Sequence, residues 1–289
     1  MKLKILASTA QAESTLLIQK AAQSLGIDFE VLLLDHIQTS AGAIFHQNVE
    51  LVGSPDLMIW LRLGTLSRRR GLEIARLMQM RGLRLINSAE AVELASDKIE
   101  SYERLHKIGA PVPRTWPFSP EIRIRASELH HVKPRSPVSF WIKTRIGSQG
   151  IGVSWAADAT HALAQMDLIR VSEGSGVIQE HVPGEDLRLL VCEGRILGAM
   201  KRTAAAGEFR ANLHQGAKAE PTEPTPAEAA LALRTTHAMN LRVAGVDMIR
   251  HENSAVVLEV NPSPGLAGIS ACLGKNLAVE ILTNFKTNS

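Results

Sequence analysis

The chain has only two cysteines, Cys192 and Cys272, and neither stands at metal-ligand spacing. That excludes a disulfide framework and a cysteine-built zinc centre, and it fits a reducing compartment. Aromatic residues make up 4% of the sequence, too few for a stacking platform for single-stranded nucleic acid. No run of about 18 apolar residues occurs, and the opening MKLKILASTA is too short in apolar content for a secretion signal, so neither a membrane partner nor export is expected. The net charge of +3, from 32 Lys and Arg against 29 acidic residues, is too small for nonspecific wrapping of nucleic acid, and no direct sequence-specific binding to it is expected either. There is no internal repeat, and the short EPTEPTP tract is the one biased segment. A cytoplasmic location follows as the expectation.

What is present is ordinary globular material: 289 residues, 45% hydrophobic and 21% charged, enough to bury a large core or to divide into two or three pieces. Lys2 to Leu6 reads as a buried strand, Ser14 to Leu25 as a helix stopped by Gly26, and FEVLLL as a second strand. DLMIWLRLG continues as a third strand, a helix follows around Gly71 to Met80, and LRLIN makes a fourth, which gives a small parallel α/β unit over residues 1–90. Ser88 to Gly109 reads as helical, with Ser96 and Asp97 capping its later part and Lys98 in the next turn. Pro111, Pro113 and Pro117 then break the chain, and VSFWIK and VSWA read as a hairpin flanking a glycine-rich tip. Past Gly176, strands dominate: VIQEHV, then DLRLLVCEG reversing at Glu193 and Gly194 into RILGAMKR. A helix over Thr225 to Met239 leads to two final strands, VAGVDMIR and AVVLEV. The expected pieces are 1–90, a central lid-bearing piece 91–175, and a C-terminal piece 176–289.

The glycine-rich tip, Gly147, Ser148, Gln149, Gly150, Ile151 and Gly152, lacks the Lys and Ser or Thr of a P-loop and no helix follows it. Glycines between two strands let backbone amides approach a phosphate chain, although a tight hairpin without a ligand fits the same residues. Lys143 before the tip suits phosphate oxygens, and equally a strand-end surface lysine. The strongest signal is acidic: Asp247, Glu259 and Asn261 lie in otherwise apolar strands, and polar groups there need partners. Glu259 and Asn261 are two apart and share a face, so with Asp247 they offer hard oxygens for Mg²⁺, while a salt bridge from this acidic set to Arg250 or Arg202 is the competing reading. The basic run Arg68 to Arg70, Arg76, Arg81 and Arg84 reads most simply as a solvated face, with an anionic partner as the alternative.

In order along the chain, SDK at Ser96 to Lys98, GxPVP at Gly109 to Pro113, SQGIGV at Ser148 to Val153 and IQE at Ile178 to Glu180 resemble the motifs of ATP-grasp enzymes, and among them the RimK-like α-L-glutamate ligases. The likeness continues through DLR at Asp186 to Arg188, FRANLHQG at Phe209 to Gly216, AGVD at Ala244 to Asp247 and EVNPSPGL at Glu259 to Leu266. The resemblance implies an α/β and α+β architecture, the ATP-grasp fold behind an N-terminal parallel α/β domain. It implies an ADP-forming ligase that joins a carboxylate to an amine through an acyl-phosphate, most simply adding L-glutamate to a peptide or ribosomal protein C-terminus. Its cofactors would be ATP and two Mg²⁺ ions, with Mn²⁺ as a substitute, and a homo-oligomer is expected.

Carried onto this sequence, the resemblance implies that Lys98 and Lys143 hold phosphates, that Gly147 to Gly152 close over them, and that Gln179, Glu180, His181 and Val182 face adenine. Asp186 would meet the ribose, and Arg188 and Arg202 the transferring phosphoryl group. Arg210 and Asn212 would reach nucleotide or carboxylate, and Asp247, Glu259 and Asn261 would hold metal. Phosphoryl transfer to a carboxylate needs alignment and charge neutralisation more than a protein nucleophile, so no catalytic Ser, Cys or His is expected. The chain departs from the family pattern at Gly147 and Ser148 in the lid, at Ala217, at Lys201, and in the GLAGIS that follows Pro264, which leaves the accepted amino acid open. A ligase for another amino acid or small molecule, and a nucleotide-binding regulator without turnover, are the alternative functions.

Overall fold

A computed structural model describes residues 1–130, 139–147, 150–172, 174–204, 217–251 and 254–287. The chain opens with β1 (Lys2–Ala7), α1 (Glu13–Ser24) and β2 (Asp28–Leu33). A short meander follows, β3 (Ile37–Ser40), β4 (Ala43–His46) and β5 (Val49–Glu50), then β6 (Leu57–Arg62), α2 (Arg68–Met80) and β7 (Arg84–Leu85). The strands pair in parallel in the order β2-β1-β6-β7, as the alternation of apolar strand and amphipathic helix predicts. β1 and β6 lie at its centre, and β6 is buried from Leu57 to Leu61. The meander was not anticipated, because IQTS and AIFH are too short and too mixed in polarity to stand out.

The helix expected over Ser88 to Gly109 is two helices, α3 (Ala89–Ser96) and α4 (Lys98–Lys107), broken at Asp97. Asp97 alone caps α4, its carboxylate accepting from the backbone N–H of Ile99 and Glu100. Ser96 takes no part in that cap, since its hydroxyl donates back to the Val92 carbonyl. Next come β8 (Thr115–Phe118), α5 (Ala126–His130), β9 (Phe140–Thr144), β10 (Val153–Ala156), α6 (Ala159–Ser172) and β11 (Gly176–Glu180). They form an antiparallel sheet in the order β10-β9-β11-β8. β11 starts just beyond the expected boundary at 175 yet pairs with β8 and β9, so the central sheet runs to Glu180.

A third sheet has the order β14-β13-β12-β15-β16, from β12 (Glu185–Cys192), β13 (Arg195–Thr203), β14 (Lys218–Pro221), β15 (Val243–His251) and β16 (Ser254–Asn261). Glu193 and Gly194 both have positive φ, 48° and 69°, the geometry of the tight turn expected between β12 and β13. α7 (Pro226–Ala238) begins with Pro226 at N1 and a reciprocal cap between Thr225 and Glu228. α8 (Ala267–Cys272) and α9 (Leu277–Thr287) end the described chain. No helix among the described residues is long and apolar enough to cross a membrane.

Strand alternation divides the third sheet into two faces. Leu187, Leu189, Val191, Val246, Met248 and Val260 pack on one side against α3, α4 and α7. On the other side, Leu190, Cys192, Met200 and Val243 join α1, α9 and the first sheet in a single core. Asn87 fastens the two sheets together: its amide donates to the carbonyls of Val243 and Pro262 and accepts from the N–H of Arg242 and Val243. Where this face runs beyond the shared core, it is left open as the floor of a cleft.

Candidate active site

The cleft encloses about 1120 Å³ between the three sheets. Its floor is the open face of the third sheet, where register places Asp186 opposite Arg202, Arg188 opposite Asp247, and Asp247 opposite Glu259. Asn261 lies two residues further along β16 on the same face and lines the same cavity. Arg188 donates twice to Asp247, at 2.6 Å each, and Arg202 bridges Asp247 at 3.2 Å and Asp186 at 2.6 Å. Asp247 is therefore both a cleft residue and an ion-pair partner, so the two readings left open by the sequence hold together. The pairing is with Arg202 and not Arg250, which is taken up by Glu228 and Glu185.

These pairings set opposite charge states. Burial alone would raise the Asp247 carboxyl, but two guanidiniums outweigh it and hold the group low. Asp186 has one guanidinium and a carboxylate neighbour, and burial pushes it up to about 6. Arg202, between two carboxylates, is held protonated more firmly than an ordinary arginine. Glu259 has no hydrogen bond or ion pair among the described residues. Among those residues no group of three His, Cys, Asp or Glu side chains is placed to hold a metal ion. The available set is two carboxylates and an amide on one sheet face, hard donors that suit Mg²⁺ when water and phosphate oxygens complete its shell.

The roof comes from β9, β10 and, between them, Gly147, Gly150 and Ile151. Lys143 donates to the Gln179 side chain at 2.6 Å, and burial, with the nearby Lys98 cation, pulls its pKa from 10.5 to about 8. Burial lowers Lys98 as well. A methyl group on Gly147 would lie 3.7 Å from the Lys98 ammonium, which puts that cation directly beneath the glycine tip. Gly152 has φ +72°, and a Cβ there would meet the Thr144 hydroxyl at 2.4 Å, so only glycine fits. Two cations facing a flap and an acidic floor make a cradle for a metal-bearing polyphosphate.

A family model for the RimK-like ATP-grasp domain matches residues 95–285. A probable alpha-L-glutamate ligase of Syntrophotalea carbinolica is 32% identical over 98% of this chain and 94% of its own length. A second, from Pseudoalteromonas atlantica, is 34% identical over 98% and 94%. The chain belongs to the RimK-like ATP-grasp family. Among solved structures, the ATP-grasp ligase PsnB with a minimal precursor superposes with a TM-score of 0.75 over 99% of both chains at 17% identity, the same fold. The protein is thus an ADP-forming ATP-grasp ligase.

Within this ATP-grasp cleft the structure gathers Lys98, Lys143, Gly147, Gly150, Ile151, Gln179, Glu180, His181, Val182, Asp186, Arg188, Arg202, Asp247, Glu259 and Asn261. Gly152 sits back beside Thr144 and does not line it. Ser148, Gln149, Arg210 and Asn212 lie outside the described residues. The Gln179 side chain is not a free adenine contact, since it accepts from Lys143 and donates to Thr115. The sequence reading missed the cleft's apolar walls, Trp141, Met200, Ile249 and Leu258, because they look like core, and as cleft residues it missed Arg62 at the end of β6 and Arg68 at the start of α2. Trp141 donates to the His181 ring at 3.0 Å, and the pocket around that ring lowers its pKa.

Proposed function

We propose that this ligase phosphorylates a carboxylate on a peptide or small acceptor and joins it to the amine of an amino acid, with L-glutamate the first candidate. One observation carries the reading: a single cleft brings Lys98, Lys143 and the glycine flap over Asp247, Glu259, Asn261, Arg188 and Arg202. The fold divides by function into an N-terminal piece to about 90, a lid-bearing piece, and a metal-bearing C-terminal piece. Lys98 and Lys143 neutralise the phosphate chain, and the segment from Gly147 to Gly152 covers it, excluding water that would hydrolyse an acyl-phosphate. Adenine lies along residues 179–182 against Trp141, Met200 and Leu258, with the ribose near Asp186.

Asp247, Glu259 and Asn261 would hold two Mg²⁺ ions, which supply charge neutralisation between the phosphates. An ionised carboxylate has about four lone-pair sites. Arg188 and Arg202 occupy three positions on Asp247 in the arrangement described, and their remaining N–H donors would be available to the γ-phosphoryl oxygens. No side chain in the cleft is needed as a nucleophile. Relatives named as glutamate ligases, and the peptide-bound PsnB structure, support an amino acid and a peptide as the two substrates.

Incubation with MgATP, L-glutamate and candidate acceptors, followed by nucleotide analysis and product mass, tests this reading. ADP, phosphate and an adduct one glutamyl residue heavier are expected. AMP with pyrophosphate would contradict the acyl-phosphate route.

A further inference from the structure

The basic run from Arg68 to Arg84 does not act as one patch. Arg69 faces Glu73 in solvent, Arg76 pairs with Glu93, and Arg70, Arg81 and Arg84 donate to backbone carbonyls of the surrounding loops and helix. Arg68 differs from all of them. It opens α2, its side chain lines the ligase cleft, and its Nε and Nη1 are shut off from solvent with no hydrogen-bond partner among the described residues. The charge it senses is Glu259, too distant for an ion pair.

Arg62, the last residue of β6, lines the same cleft. One of its amino groups donates to the Pro264 carbonyl at 2.8 Å, and its guanidinium lies 5.8 Å from the Trp60 ring. It has no carboxylate partner among the described residues, and burial pulls its pKa down to about 10. The wall beside it is built from Gly265, Ala267 and Gly268, which leave space where longer side chains would fill it. Desolvated guanidinium donors without an anion are costly, and a planar carboxylate is the group their fork geometry fits.

Both arginines come from the N-terminal α/β unit, Arg62 at the end of β6 and Arg68 at the start of α2, and Arg62 reaches the loop that follows Asn261. The phosphate cradle, by contrast, is built from α4, β9 and the third sheet. We propose that Arg62 and Arg68 form the subsite for the α-carboxylate of the incoming amino acid, the substrate that contributes the amine, which rests on the ligase reading above. The N-terminal α/β unit then does more than support the cleft: it selects one of the substrates.

Calorimetry on the full chain tests this in two stages, MgAMPPNP first and then L-glutamate added to the nucleotide-loaded protein. Arg68→Gln is expected to bind MgAMPPNP within about twofold of wild type and L-glutamate about 10- to 100-fold more weakly. L-glutamine, which keeps the α-carboxylate, should show the same sensitivity to Arg68→Gln. L-isoglutamine, whose α-carboxylate is an amide, should bind weakly and equally to both proteins. Arg68→Lys keeps the charge without the fork, is expected between the two, and carries the test if the glutamine variant does not fold. Failure of the wild type to bind MgAMPPNP would sink the ligase reading itself. Nucleotide binding without L-glutamate binding, a variant that loses nucleotide but keeps glutamate, or an isoglutamine response equal to that of glutamate would each overturn the subsite while leaving the ligase intact.

Discussion

The first and third sheets bury their strands to similar depth but place charge differently. Through β1 and β6 the first sheet buries aliphatic side chains and Trp60, and its arginine enters only where β6 ends. The third sheet carries Asp186, Arg188, Arg202 and Asp247 within its strands on one face, with aliphatic residues packed on the other. Within this parallel sheet the one charged pair along the strands among the described residues, Lys4 with Glu30, lies away from the cleft, so the sheet contributes to the site only at its strand ends. An antiparallel sheet with one face packed can devote the other to chemistry. The comparison teaches that damage to the first sheet costs the fold, whereas damage to the open face of the third costs the site.

The largest expected effect tests the second half of that statement. Glu259→Gln should reduce ADP formation by on the order of 10³-fold, because the oxygen proposed to hold metal is lost where charge must be neutralised. Its stability should change by only about 1 kcal/mol, since Glu259 has no ion pair to lose among the described residues. Asp247→Asn should abolish turnover equally but also cost about 3–5 kcal/mol in urea unfolding, because it leaves Arg188 and Arg202 facing each other without their carboxylate. Equal stability of the two variants would show that the arginine pairs contribute nothing to the fold. The first half is tested by Ile59→Ala, at the fully buried centre of β6. A loss of about 2–5 kcal/mol is expected, with the nucleotide affinity of the folded fraction unchanged.

Lys143 sharpens the contrast because at this position fold and function oppose each other. Its folded pKa of about 8 lies below the ordinary 10.5, so the folded state binds fewer protons than the unfolded chain between those values. The destabilisation is fully present below about 8 and is relieved as pH rises towards 10.5, so stability rises with pH across that window. Lys143→Met should therefore gain on the order of 1 kcal/mol at pH 7 and lose that pH dependence, while weakening MgATP about 10- to 100-fold. In the wild type, nucleotide affinity should fall as pH rises through about 8 and the ammonium is lost. Titration calorimetry across that range checks both signs.

What was legible follows the same division. LMIWL announces a buried strand because nothing polar interrupts it, KLKIL does so by alternating lysine with leucine before an apolar end, and Asp247 and Glu259 stood out because their neighbours are apolar. Helix α6 went unread: it buries Ala159, Ala162 and Met166 but exposes Leu168 and Val171, so its apolar residues do not mark one face. Strand β8 hid because Pro117 lies within it, at the edge of its sheet where a missing N–H is tolerated. Arg68 was hidden by Arg69 and Arg70, since a run of like charges carries no sign of which member turns inward. The cleft walls Met200 and Leu258 read as core, as any apolar side chain facing a ligand does.

The smallest effect concerns the joint between helix and flap. Asp97 caps α4 and accepts from Arg145 at 2.6 Å, while the Lys98 N–H donates to the Arg145 carbonyl at 3.1 Å. One carboxylate thus ties the turn carrying Lys98 to the strand end that leads into the flap. Asparagine caps a helix about as well as aspartate, so Asp97→Asn should preserve α4 and lose only the pull on Arg145, which is part-exposed and worth about 0.5 kcal/mol or less. Asp97→Ala removes the cap as well and should cost about 1 kcal/mol more. A double-mutant cycle with Arg145→Gln separates the two contributions by urea unfolding. If Asp97→Asn matched Asp97→Ala in stability, the ion pair rather than the cap would be what holds Lys98 under the flap, and the alignment of the phosphate cradle would depend on salt concentration.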